Sequence, residues 1–139
     1  MTNRPIKFRA WHKVLKEMTE VKSIHFNDDT IRLSIKPQTK VTKDTIMVQI
    51  DEVDVMQFTG LKDKNGKKIY EGDLFDCNYK FDGCNKHKLE VVWDEASASF
   101  KLKGHGRCHQ PNVSKTVGDL YNLEVIGNVW ENPELLSTN

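Results

Sequence analysis

The chain has 139 residues, with 21 basic and 20 acidic side chains and a net charge of +1 at neutral pH. That length suits one domain, or a small domain with an extension, and the balanced charge argues against a protein that coats nucleic acid through bulk electrostatics. No apolar run approaches the roughly 20 residues that span a bilayer. The opening MTNRPIKFRAWHK lacks a signal-peptide core, so a cytoplasmic protein with no membrane partner is expected.

Residues 6–11 alternate apolar and basic side chains and predict a strand, followed by a polar bend over 12–17. A second strand is predicted over 21–26, with Ile24 and Phe26 on one face, then a turn at Asn27, Asp28 and Asp29. Ile31, Leu33 and Ile35 point one way and Arg32 and Ser34 the other, which predicts a third strand and an antiparallel meander wet on one face. Residues 36–44 are polar and contain Pro37, as a linker or long loop does. Residues 46–55 resume an alternation that breaks at Asp51 and Glu52, so either two strands with a bend or one bulged strand is expected. A short helix over 42–48 is the alternative, and its β-branched residues weigh against it.

The stretch 56–74, MQFTGLKDKNGKKIYEGDL, is the most informative. Met56 and Phe58 predict a strand ending at Gly60 and Leu61. Asn65-Gly66 predicts a tight turn, because both tolerate positive φ. Ile69 and Tyr70 form the returning strand, and Glu71-Gly72-Asp73 turns into a strand over 74–81. A polar loop covers 82–88, and LEVVW, 89–93, is strongly β-prone. A turn at 94–96 and a strand over 99–102 complete a hairpin. A long loop is expected over 103–118, a final strand over 120–130 and a terminal turn over 131–136. The expected fold is mainly β, an SH3-like small barrel over 56–136 with an N-terminal antiparallel β meander or extension over 1–55.

Lys62, Lys64, Lys67 and Lys68 are the candidate binding surface. Four lysines on one loop can hold phosphate, but lysines also favour hairpin tips for solubility alone, and that reading is the stronger. Cys77, Cys84, His87, His105, Cys108 and His109 have zinc-binding chemistry. Cys84 and His87, like His105 and Cys108, are closely spaced, but the gap from Cys77 to Cys84 is too long for a zinc knuckle, so no metal and no cofactor is expected. Three cysteines, an odd number, suit free thiols in a reducing compartment. Asp94 and Glu95 read as a polar turn rather than an acid–base pair. Cys108 and His109 are sequence neighbours in a loop and make a poor nucleophile pair. Trp11, Trp93 and Trp130 lie beside apolar strand faces, which favours packing over base stacking. There is no Walker-type loop, no GxSxG and no HExxH.

IKFRAW near the start, MQFTGLKDKNGKKIYEGDL in the middle, VVWDEASASFKL later and LEVIGNVWENPELL at the end together resemble the YopX protein family. The resemblance spans nearly the whole chain. It implies a protein of tailed phages or prophages of Gram-positive bacteria, mainly β, with an SH3-like barrel in its C-terminal part. It implies no catalytic residues. His12 departs from the pattern, which usually has Asp after the Trp. The expected function is a non-enzymatic protein–protein interaction module, a homo-oligomer that binds a host or phage protein. The alternative is a nucleic-acid-binding barrel that uses the lysine loop or Arg4, Lys7 and Arg9.

Overall fold

A computed structural model of the chain describes residues 4–39, 44–76, 88–105 and 124–136. The chain divides into two compact units, Met1–Gln57 and Phe58–Asn139. Among the described residues all paired strands are antiparallel and there is no α-helix. The fold is mainly β, as the alternation predicts.

In the first unit, strands β1 (Phe8–His12), β2 (Glu17–Phe26), β3 (Ile31–Lys36) and β4 (Ile46–Gln49) form a meander. The start of β5 (Val53–Lys62) returns to pair with β1, so the order is β4-β3-β2-β1-β5. A 3-10 helix, Ile50–Glu52, joins β4 to β5 at the break expected near Asp51. Glu52 anchors it: Gln49 N donates to Glu52 Oε2 at 2.6 Å, and Lys13 N donates to the Glu52 carbonyl at 3.2 Å. Ala10, Leu33, Ile35, Val48 and Val53 are buried together, with Val21, Ile24, Ile46 and Val55 packed on them. Each large side chain taken out of water there stabilises by roughly 1.5–3 kcal/mol. β2 begins earlier than its apolar pattern suggests because Thr19 occupies a core-facing place opposite Ala10. Its hydroxyl donates to the Ala10 carbonyl at 2.8 Å, so the buried polar group is satisfied.

The second unit holds the end of β5 with β6 (Lys68–Tyr70), β7 (Asp73–Asp76), β8 (Lys88–Asp94), β9 (Ser99–His105) and β10 (Val125–Asn128). A closing 3-10 helix covers Pro133–Leu136. β10 pairs with β7 in the order β10-β7-β8-β9. Ile69, Phe75, Leu89, Val91, Leu102 and Val125 form the core. Three boundaries differ from those expected. β5 does not stop at Gly60 but runs to Lys62 through a register shift, with Gly60 at φ +91°. β9 extends into the expected long loop, because Lys103, Gly104 and His105 pair with Glu90, Leu89 and Lys88. The last strand ends at Asn128, where a side-chain-capped turn begins. The described strands do not close either sheet into a barrel.

Candidate functional site

The lysine loop is a hairpin tip folded around an aspartate. Asp63 is 7% exposed. One of its carboxylate oxygens, Oδ1, accepts from Asn65 N at 2.9 Å and Lys67 N at 2.8 Å. The other, Oδ2, accepts from Val125 N at 3.1 Å, tying the tip to β10. Gly66 sits at φ +82°, the left-handed conformation that the Asn-Gly pair anticipates. Burial opposes ionisation of Asp63, but the three backbone donors outweigh it and hold the carboxyl below the usual carboxylate range. Lys62, Lys64 and Lys67 are exposed around this knot, while Lys68 is half-buried opposite Lys62 in the ladder. Lys64 Nζ lies 3.9 Å from Glu124 Oε2, an exposed pair that contributes little. The loop therefore has a rigid frame and three solvated cations.

The second corner, Glu71-Gly72-Asp73, meets the C-terminal motif. Gly72 lies at φ +83°, and a methyl group there would overlap the Trp130 ring. Gly72 N donates to the Val91 carbonyl at 2.8 Å, and Val129 N donates to the Gly72 carbonyl at 3.0 Å. Asp73, 1% exposed, accepts from Tyr70 N at 2.8 Å. Asn128 Oδ1 accepts from Trp130 N and Glu131 N at 3.1 and 2.8 Å. Asn132 Oδ1 accepts from Asn128 N at 3.2 Å. Trp130 thus packs on a glycine, a structural role.

The remaining candidates are scattered. Trp93 is 45% exposed and meets Phe100 edge-on, with ring centroids 5.0 Å apart. Trp11 is half-buried on β1. Arg4 and Lys7 are exposed, while Arg9 is half-buried with its Nε 3.4 Å from Met56 Sδ. Asp94 Oδ2 accepts from Ser97 Oγ at 2.6 Å and pairs with Lys101 Nζ at 2.8 Å. Its pKa is lowered to about 2, mainly by the Lys101 hydrogen bond and then by Ser97. An ionised, solvated hairpin aspartate is not a general acid. Cys77, Cys84, His87, Cys108 and His109 lie outside the described residues. His105 is described, and its Nε2 lies 2.8 Å from Glu90 Oε2. Among the described residues, no group of three or more His, Cys, Asp or Glu is arranged to hold a metal.

His12 has a structural role. It is 8% exposed, and its Nδ1 accepts from Val14 N at 3.3 Å and Leu15 N at 3.0 Å. An aspartate carboxylate would accept the same two donors in an Asx turn. The imidazole therefore caps the β1–β2 turn.

One concave feature was absent from the sequence reading. An open hollow of about 530 Å3 lies at the end of the first unit, lined by the 26–31 turn and by Gln49, Ile50 and Asp51. Phe26 is 75% exposed and Ile50 43% exposed at this end. Phe26 shares a face with Ile24, as expected, and its place beside the Asn-Asp-Asp turn is the one sequence signal of its exposure. Among the described residues, no helix is long and apolar enough to cross a membrane.

A family model described as YopX protein matches residues 7–137. No curated protein matches. A solved structure, the crystal structure of protein EF1440 from Enterococcus faecalis, is similar at 29% identity and a TM-score of 0.64, covering 97% of this chain and 100% of that one.

Proposed function

The chain belongs to the YopX family, and from there we propose that it is a non-enzymatic protein–protein interaction module, an accessory protein of a phage or prophage that works in the bacterial cytoplasm. One observation carries this reading: large apolar side chains stand exposed on the strands and turns of the first unit, with Phe26 at 75%, Met47 at 54% and Ile50 at 43%. Such side chains contribute little to folding and are suited to being covered by another protein. The polar side chains of the family motifs support it from the other side. Asp63, Asp73, Asn128 and Asn132 hold backbone groups, so their chemistry is spent on the fold.

We read the second unit as an SH3-like small barrel. The meander β7-β8-β9 with β10 returning to β7 supports that reading. The first unit repeats the plan, with β5 returning to β1 after a 3-10 turn. Self-association and capture of a host or phage protein are both in scope. Sedimentation across a concentration series, with capture from nuclease-treated bacterial lysate, tests the reading. A strict monomer that retains no protein overturns it.

The second reading, nucleic-acid binding, rests on the three exposed lysines of the loop, Lys62, Lys64 and Lys67. Salt-sensitive binding to DNA or RNA that weakens on changing these lysines to Gln is its expected sign. No binding at low salt excludes it.

A further inference from the structure

We propose that the hollow at the end of the first unit is a docking site for a partner segment that carries lysine or arginine beside a bulky apolar side chain. The inference rests on the interaction-module reading and specifies its site and the chemistry of the partner.

The apolar half of the site follows from register. Ile24 pairs with Leu33, and Leu33 is fully buried. The next pair on the same face is Phe26 with Ile31. The core-facing stripe of β2 and β3 therefore runs past the core and surfaces as Phe26 and half-buried Ile31, joined by Ile50 from the 3-10 helix. A phenylalanine at 75% exposure leaves most of its apolar surface in water, and covering it is a source of affinity.

The charged half follows from the rim. Asp28 and Asp29 stand exposed in the turn closed by Asn27 N donating to the Thr30 carbonyl at 2.9 Å. Asp51 is exposed beside Ile50. Lys13 reaches this end, but its Nζ donates to the Asp51 backbone carbonyl at 3.1 Å, not to a rim carboxylate. Three carboxylates beside Phe26, Ile31 and Ile50 attract a cationic, apolar segment and repel acidic peptides and phosphate backbones. The same sign argument keeps the lysine-loop reading of nucleic-acid binding away from this face.

The test is selection of short random peptides on the full-length protein, followed by affinities for the selected peptides at two salt concentrations. The expected peptides combine Lys or Arg with a bulky apolar residue. Their binding is expected to weaken roughly thirtyfold with Phe26→Ser. It is expected to weaken about tenfold with the double change Asp28→Asn and Asp29→Asn, and to weaken with salt. Asn suits the same turn positions as Asp, so the second variant removes charge while keeping the turn. Peptides that bind both variants as well as the parent overturn the site and leave the interaction reading standing. Selection of acidic peptides overturns the stated partner chemistry. A selection that enriches nothing overturns both.

Discussion

The two units use their side chains differently. The second closes its corners with buried polar groups: Asp63 reaches from the lysine loop to β10, Asp73 holds Tyr70, and Asn128 caps the turn after β10, with half-buried Asn132 accepting from its backbone N–H. The first is held by an apolar core, with His12 and Thr19 its buried polar side chains among the described residues, and it leaves Phe26, Met47 and Ile50 exposed. Buried polar networks are expensive to break, because each lost acceptor strands a donor. Exposed apolar groups are nearly neutral to fold stability and costly only to binding. The comparison teaches where a mutation is read out: as unfolding at the buried polar corners of the second unit, and as lost association at the exposed apolar side chains of the first.

The sharpest way to break that contrast is Gly72→Ala. The change forces an L-residue into positive φ and drives a methyl group into Trp130, at an expected cost of about 3 kcal/mol by chemical denaturation. Asp63→Asn follows, at roughly 2 kcal/mol, because an amide cannot accept all three backbone donors as strongly. The same variant fixes a pH dependence. The folded carboxyl titrates below its unfolded value, so its contribution is complete above the unfolded pKa and is lost as pH falls through the folded one. The stability gap between parent and Asp63→Asn is therefore expected to be flat at neutral pH and to shrink below about pH 4. Denaturation curves from neutral pH down to about pH 3 measure it.

In the first unit the effects divide between core and surface. His12→Ala is expected to cost about 1 kcal/mol, since it leaves two turn donors without their acceptor. His12→Asp should recover most of that, and a variant no better than Ala would show that the imidazole does not act as the cap. Phe26→Ser is expected to change stability by less than about 0.5 kcal/mol, whereas Leu33→Ala, fully buried beside it in the fold, is expected to cost roughly 2–5 kcal/mol.

Much of the fold was legible because alternation is local. Ile31, Leu33 and Ile35 announce β3, and the Asn65-Gly66 pair announces its turn. What was not legible depends on distant partners. Asp63 stands in sequence as one polar residue of a lysine-rich turn; its third bond goes to Val125, 62 residues on, and no local pattern reports that. Gly104 and His105 have loop composition, and it is pairing with β8 that makes them strand. The final strand looked longer because Val129 and Trp130 are apolar, but Asn128 takes their end of the chain into a turn. Of the candidate surface, the lysine loop was readable from composition. The hollow was not, because its walls come from the β2–β3 turn and the 3-10 helix, brought side by side by β3–β4 pairing.

The central claim is that this family member works through a protein surface of its first unit. Capture from nuclease-treated bacterial lysate, comparing the parent chain with Phe26→Ser at matched stability, tests it most directly. The expected result is a discrete protein held by the parent and lost from the variant. Retention that is the same for both, or that vanishes for both once nucleic acid is digested, would contradict it.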